Sequence, residues 1–207
     1  MLAVMSRTAS EILLPPPRRE SRCSLEQALW ERRSVREFGL LPLGIDELSQ
    51  LAWAAQGTAS GGDHRTAPSA GALYPMNLRV AVGNVRGATP GLYRYRGESH
   101  RFLLAAAGDR RRALAAAALQ QSWIAYAPAV FVLSGVDSRA TAKYGARGTR
   151  YLEMEAGHAA QNLLLQAAAL ELGAVVVGAF DDRALGDAAL LDAGERALCL
   201  VPVGHPA

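Results

Sequence analysis

Three arginines and a serine stand within the five residues Arg32-Arg33-Ser34-Val35-Arg36. A guanidinium binds phosphate as a planar fork, and a serine hydroxyl both donates and accepts hydrogen bonds. The segment could therefore hold the phosphate and the polyol chain of a ligand. On its own the pattern is weak, because a charged run at the end of a helix is usually solvated surface. Two later stretches, residues 65–75 and 174–181, favour the binding interpretation.

A second candidate is a run of small residues that follows a loop over residues 58–69. Ser69, Ala70 and Gly71 lie at the start of a short predicted helix that Pro75 stops. The first turn of a helix presents free N–H groups, and small side chains allow a flat ligand to approach the backbone. This stretch is therefore a candidate ligand-binding loop.

The third candidate is Lys143, the single lysine among 22 basic residues, which Tyr144 follows directly. A free tyrosine is protonated at neutral pH, but an ammonium beside it favours the phenolate, so the pair could act as a base. Neighbouring side chains diverge on helices and strands. We therefore expect an irregular segment from Gly135 to Thr149, in which both side chains reach one site. The alternative is that both are surface loop residues.

Hydrophobic periodicity predicts the elements that position these residues. Ser24 and Gln27 form a capping-box pattern that opens a helix running to about Arg33. The longest helix is predicted from Arg150 to Leu172, and its apolar sides indicate burial in a core or against a second subunit. The mixed order of elements predicts an α+β fold with helices around a mixed or antiparallel sheet. The other predicted helices span residues 45–56, 70–74 and 109–121, and the strands span residues 78–82, 92–96, 101–104, 129–134, 174–178 and 196–203.

Composition limits the class of protein. The 207 residues, half of them apolar, predict one domain over residues 24–207 after an extended N-terminal tail over residues 1–23. The net charge of +3 comes without a basic, aromatic-rich stripe, so no nucleic-acid partner is expected. Cys23 and Cys199 stand far apart, which predicts neither a metal site nor a disulfide framework and favours a reduced, cytoplasmic protein. No signal peptide or apolar run of membrane-spanning length is found, so no membrane partner is expected.

Taken together, several stretches resemble the nitroreductase family of flavin enzymes, and more narrowly its SagB-type dehydrogenase branch, the azoline oxidases. The resemblance covers roughly residues 24–206. The stretches that carry it are Arg32-Arg33-Ser34-Val35-Arg36, Arg65 to Pro75, Lys143-Tyr144-Gly145, Glu155 to Asn162, Val177 to Asp181 and Val201-Pro202-Val203-Gly204.

The resemblance implies a nitroreductase-like homodimer that holds FMN at its interface and uses the long helix as a central element. It also implies which residues form the site. By this resemblance Lys143 and Tyr144 are catalytic, and the loop that covers the flavin ring is commonly donated by the second subunit. The implied cofactor-binding residues are Arg32, Arg33, Ser34 and Arg36 at the phosphate and ribityl chain, Pro68, Ser69, Ala70 and Gly71 over the ring, and Val177, Gly178 and Ala179 facing flavin N5 and O4.

Three functions stay open at this point. The first is an FMN-dependent dehydrogenase that oxidises a small-molecule or peptide substrate, with azolines of modified peptides as the substrates of the resembling branch. The second is a nitro or quinone reductase with NAD(P)H as electron donor. The third is a non-catalytic, flavin-holding subunit of a peptide-modifying complex. Azoline oxidation needs a base, whereas reduction by a nicotinamide does not, so the Lys143-Tyr144 pair favours the first function.

Overall fold

In the computed structural model, which describes residues 11–62 and 64–207, seven strands form one sheet in the order β1-β6-β5-β3-β7-β9-β8. Every pairing inside this sheet is antiparallel. Strands β2 and β4 form a separate parallel pair. The strands are β1 (Glu11–Leu13), β2 (Leu43–Gly44), β3 (Met76–Val82), β4 (Val85–Arg86), β5 (Gly91–Arg96), β6 (Arg101–Ala107), β7 (Ala129–Gly135), β8 (Gly173–Ala174) and β9 (Arg196–Gly204).

Helices cover both faces of the sheet, because the central strand β7 is apolar on both sides. Phe131 and Leu133 pack with one helix layer, and Val130 and Val132, which point the other way, pack with a second. The first layer contains α2 and α5, and the second contains α3 and α6. The α+β prediction is confirmed. The helices are α1 (Leu25–Glu31), α2 (Ile45–Gln56), α3 (Arg111–Ala117), α4 (Asp137–Tyr144), α5 (Arg147–Ala169) and α6 (Asp182–Ala188).

Local signals predicted the first two helices well. The Ser24 hydroxyl accepts a hydrogen bond from the Gln27 N–H at 3.1 Å, as an N-cap should. Helix α2 has the predicted bounds. No helix in the described part of the chain is both long and apolar enough to cross a membrane.

The N-terminal segment differs from a free tail. Residues 1–10 of the predicted tail lie outside the described residues, but Glu11–Leu13 pairs with β6 as an edge strand. Leu14 is buried, and the Pro15 carbonyl accepts a hydrogen bond from the Ser49 hydroxyl at 2.7 Å. The segment therefore packs on the domain, because it satisfies an open sheet edge and a buried hydroxyl.

The segment that carries Lys143 was predicted wrongly. Residues 135–149 are not irregular: helix α4 spans Asp137–Tyr144, and α5 begins at Arg147. The Asp137 carboxylate at the start of α4 accepts a hydrogen bond from Arg196 Nε at 2.6 Å. Gly145, with φ of 57°, allows the sharp turn between the two helices. A long-range ion pair thus supports a helix whose own sequence is only weakly patterned.

A buried ion pair lies beneath the α6 side of the sheet. The guanidinium of Arg79 on β3 binds the Glu195 carboxylate with both Nη atoms, at 2.6 and 2.8 Å. The exposed fractions of the two side chains are 1% and 0%. Ser134 and Asn77 donate further hydrogen bonds to the same carboxylate. This polar network joins β3, β7 and the turn before β9.

Candidate functional site

The Arg32–Arg36 segment leaves α1 and runs beside β8. Ser34 pairs with Ala174 in a parallel bridge, and the Val35 N–H donates to the Ala174 carbonyl at 3.1 Å. A β-carbon on Gly173 would lie 2.6 Å from Val35 Cγ1, so a glycine is required at that crossing. The backbone of this segment is therefore held at the edge of the sheet.

The side chains of this segment remain available to a ligand. Arg33, Ser34 and Arg36 are exposed. Among residues 11–62 and 64–207, no carboxylate forms an ion pair with any arginine of this segment. Arg36 lies over the Trp123 ring, with Cζ 6.0 Å from its centroid. Three guanidiniums that no described carboxylate pairs with, together with a hydroxyl, form the donor set that a phosphate requires.

The predicted strand over residues 174–178 is shorter in the structure, where β8 ends at Ala174, and residues 177–179 lie near the same turn as Trp123. Gln121 Nε2 donates to the Ala179 carbonyl at 3.2 Å, two residues before Trp123. Val177 forms a two-way backbone bridge with Leu200, at 2.8 and 2.9 Å. The segment from Gln121 to Trp123 thus links the arginine segment with residues 177–179. We call the arginine segment and residues 177–179 together the anion side of the site.

Beyond the Val177 bridge the chain leaves the sheet. Gly178 and Ala179 are exposed, and within the described part of the chain their N–H groups have no acceptor. A β-carbon on Gly178 would meet no atom within 4 Å. Two backbone donors that no described residue uses are suited to a polar ring atom of a ligand.

The loop Pro68–Gly71 lies on α5. Asn162 Nδ2 donates to the Thr66 carbonyl at 3.1 Å, just before the loop. The Ser69 hydroxyl accepts from the Tyr74 N–H at 3.0 Å, which closes the turn. Pro68 and Gly71 are exposed, and Ala70 is half-buried. Gly71 has φ of 61°, a conformation that favours glycine.

Lys143 and Tyr144 meet at Gly71 although they lie on a helix. A β-carbon on Gly71 would lie 2.7 Å from Lys143 Nζ and closer still to the Tyr144 hydroxyl. Both residues belong to the last turn of α4, where long side chains can fold toward the same loop. Tyr144 also packs edge-on against Tyr151, with ring centroids 5.1 Å apart. No described carboxylate pairs with Lys143. We call this group, with the Pro68–Gly71 loop, the base side of the site.

Sequence reasoning missed Glu155, which lies on α5 next to the loop. Its exposed fraction is 2%, and Oε1 has no hydrogen-bond partner within the described residues. Burial raises the pKa of Glu155, while the Ser69 hydroxyl and the charge of Arg65 act in the opposite direction. The available signal was a single acidic residue on the apolar stripe that contains Leu152 and Ala159.

The structure therefore brings the predicted residues together as two groups. The anion side contains the arginine segment and residues 177–179, and the base side contains residues 68–71 with Lys143 and Tyr144. No hydrogen bond, ion pair or ring contact in the described part of the chain joins the two sides. The first group offers guanidinium and backbone N–H donors, and the second offers the amine of Lys143 and the hydroxyl of Tyr144.

The sequence and the fold are similar to those of known proteins. The Nitroreductase family model matches residues 29–205. A Methanocaldococcus jannaschii protein that carries the name nitroreductase MJ1384 is 43% identical over 181 residues, which are 87% of this chain and 90% of that protein.

Solved structures share the fold. A crystal structure of a Ralstonia eutropha protein named as a nitroreductase is 32% identical, with a TM-score of 0.84 and coverage of 97% of this chain and 91% of that chain. A chain of the Escherichia coli microcin synthetase McbBCD complex is 24% identical, with a TM-score of 0.76 and coverage of 86% and 70%. The family match and the identities over most of each chain show that this protein belongs to the nitroreductase family of oxidoreductases.

Proposed function

We propose that the protein is an FMN-dependent dehydrogenase of the SagB type, which oxidises a small-molecule or peptide substrate such as an azoline. The observation that carries the proposal is the convergence of Lys143 Nζ and the Tyr144 hydroxyl on Gly71. Oxidation of an azoline removes two hydrogens from neighbouring atoms, one as hydride and one as a proton. The proton requires a base, and a simple nicotinamide-driven reductase would not need this pair.

The residues present fit FMN. Arg33, Ser34 and Arg36 would hold its single terminal phosphate, because they are exposed and no carboxylate of residues 11–62 and 64–207 pairs with them. The free N–H groups of Gly178 and Ala179 would face polar atoms of the ring. When bound, FMN supplies the hydride acceptor of the reaction.

The chain itself supplies the proton transfer and the electrostatics. Tyr144 takes the substrate proton, and Lys143 Nζ lies 5.4 Å from the Tyr144 ring centroid. The edge contact with Tyr151 restricts the Tyr144 ring to one orientation. The backbone N–H groups of residues 178 and 179 would donate hydrogen bonds to bound FMN and would so favour negative charge on it.

The two sides of the site come together in a homodimer. Helix α1, which packs against α5, exposes three large apolar side chains: Trp30 at 84%, Leu25 at 62% and Leu29 at 54%. Exposed apolar side chains grouped in this way favour a protein interface. In such a dimer the base side of one chain completes the anion side of its partner.

A second function on the same scaffold is an NAD(P)H-dependent nitro or quinone reductase. The 43% identity to a protein named as a nitroreductase favours it. A reductase of this kind uses the anion side but not the Lys143-Tyr144 pair. The two functions therefore differ in whether that pair matters to the rate.

We expect the purified protein to be yellow and to release FMN. The arginine segment suits one phosphate, and Arg36→Ala should weaken FMN binding by about 1.5–3 kcal/mol, the range for a hydrogen bond to a charged group. Mass spectrometry identifies the chromophore, and fluorescence titration measures its Kd. Arg86→Ala, an exposed arginine on β4, is the control and should leave the Kd unchanged. Release of FAD, or of no flavin, would contradict the assignment.

We also expect a homodimer in solution, whose stability depends on Trp30. Trp30→Glu places a charge in the exposed apolar patch and should shift the protein toward monomer, with loss of bound flavin. Light scattering coupled to size-exclusion chromatography measures the mass, and absorbance measures the flavin content. Leu13→Glu, at an exposed leucine on the edge strand β1, is a matched control that should remain dimeric. A flavin-loaded wild-type monomer would overturn the dimer proposal.

A further inference from the structure

The loop that carries Gly71 has a strained backbone. Gly71, Ala72 and Tyr74 have φ angles of 61°, 53° and 45°. Glycine adopts this left-handed region readily, but alanine and tyrosine do so at a cost in free energy. Hydrogen bonds from the N–H groups of Ala72 and Tyr74 to Ser69 fold the loop without attaching it to the domain. Such a conformation persists only where surrounding contacts hold it.

Arg65, at the start of this loop, is attached to the domain. Its backbone forms an antiparallel bridge with Thr58. Its Nη1 donates to the carbonyl of Gln56, the last residue of α2, at 3.0 Å. Its Nη2 pairs with Glu98 in the turn between β5 and β6. Because the Glu98 side chain is 71% exposed, this ion pair contributes less than the hydrogen bond to the end of α2.

The surroundings of Arg65 fix its guanidinium against the ring of Tyr74. A β-carbon on Gly97 would lie 2.6 Å from the Gln56 carbonyl oxygen and 2.7 Å from Arg65 Nη1, so the turn leaves the guanidinium little room to move. Arg65 Cζ lies over the Tyr74 ring, 5.2 Å from its centroid. A guanidinium is attracted to the face of an aromatic ring. One charged group held by α2 thus reaches the strained end of the loop.

We infer that Arg65 is a positioning residue: its guanidinium, anchored at the end of α2, holds the Tyr74 ring and so keeps Gly71 in place against Lys143 and Tyr144. The fit at Gly71 is close, since a β-carbon there would lie 2.7 Å from Lys143 Nζ. A displacement of about 1 Å is enough to impair a catalytic group. The contact between Arg65 and Tyr74 needs no ligand, whereas its consequence for catalysis rests on the proposed function.

The first experiment measures hydrogen–deuterium exchange of the full chain by mass spectrometry. Arg65→Met removes the guanidinium and keeps an apolar side chain. It should raise the exchange rates of the amides of residues 72–74 about 10- to 150-fold, the effect of losing one hydrogen bond to a charged group. Peptides from β7 and α5 should exchange as in the wild type. Arg94→Met, which breaks the ion pair with Asp192, is the matched control and should leave the loop unchanged.

A double variant tests whether Arg65 acts through Tyr74. Tyr74→Leu removes the ring that the guanidinium faces. It should raise the exchange rates of the same amides, and adding Arg65→Met to it should raise them no further. Effects that multiply in the double variant would mean that the two residues hold the loop independently, and the inference would then be wrong.

The second experiment tests the consequence for catalysis. At equal FMN content, Arg65→Met should lower kcat for azoline oxidation by about 10- to 100-fold, the scale of a misplaced catalytic group, with little change in KM. Quinone reduction by NAD(P)H, which does not use Lys143 and Tyr144, should change much less. A residue that only stabilises the fold would lower both reactions alike.

The two experiments can fail separately. If the wild-type protein oxidises no azoline, the proposed function fails, and faster exchange confined to the loop in Arg65→Met still supports the contact with Tyr74. Unchanged exchange in Arg65→Met, or faster exchange in every peptide, would overturn the inference whatever the activity. A loosened loop with both reactions at their wild-type rates would overturn the positioning role.

Discussion

Tyr144→Phe is expected to lower azoline oxidation by about 10²–10⁴-fold, the usual effect of losing a general base. The substitution removes the hydroxyl that meets Lys143 Nζ at Gly71 and keeps the ring that packs on Tyr151. Reduction of a quinone by NAD(P)H, which needs no base, should change much less. Steady-state kcat and KM for both reactions, measured on enzyme of equal FMN content, test the prediction.

One further variant tests the role of Lys143, and another serves as a control for the loss of a tyrosine hydroxyl. Lys143→Met removes the ammonium at similar length, and it should lower the rate of azoline oxidation much more than the rate of quinone reduction, which needs no base. Tyr126→Phe, at a tyrosine that is 71% exposed and ends the short 3₁₀ helix Ser122–Tyr126, is the matched control and should be neutral. If oxidation and reduction both survive unchanged in Tyr144→Phe, the pair is structural and the general reductase function takes precedence.

Glu195→Gln is expected to destabilise the protein by about 3–5 kcal/mol, the usual cost of breaking a buried ion pair. The substitution leaves the Arg79 guanidinium buried, with an exposed fraction of 1%, without its carboxylate. For a chain of this size the loss corresponds to a fall in Tm of roughly 6–20 °C. Urea unfolding followed by circular dichroism measures the free energy, and Asp192→Asn, at a rim carboxylate that is 57% exposed, should cost far less.

The pH dependence of the same pair has a defined sign. Burial alone would raise the pKa of Glu195, but hydrogen bonds from Arg79, Ser134, the Asp192 N–H and Asn77 outweigh it and lower the pKa to about 2. Because the folded-state pKa lies below its ordinary value of 4.5, the pair contributes its full stability above about pH 5. That contribution is lost as pH falls toward 2, so the difference between wild type and Glu195→Gln should shrink over this interval. A difference that is constant from pH 7 to pH 2.5 would contradict the assignment.

Much of the local structure follows from the sequence alone. Helix α2 begins and ends where its apolar spacing predicts, and Ser24 caps α1 as its type predicts. These features depend on contacts between residues three or four positions apart, which a sequence displays directly. The α+β class follows in the same way from the order of helical and strand patterns. The types of the site residues, from the arginine segment to Lys143-Tyr144, are also visible in the sequence.

What the sequence could not determine depends on partners far along the chain. Helix α4 is held by Arg196, which is 59 residues away from Asp137, so its local pattern suggested an irregular segment. Nothing in the local sequence distinguishes Arg79 from the other arginines, because its partner Glu195 lies 116 residues later in the chain. Glu155 is separated from Ser69 by more than eighty residues, and only the packing of α5 against the loop buries its carboxyl.

The sequence thus determined which groups are available for chemistry, since residue types and short-range periodicity are local properties. The tertiary structure decided which of them meet. It brought Lys143 and Tyr144 to Gly71 from the end of a helix, and it removed Glu155 and Glu195 from water. The physical reason is that burial and ion pairing depend on the distance between segments in space, which a single sequence does not encode in any short window.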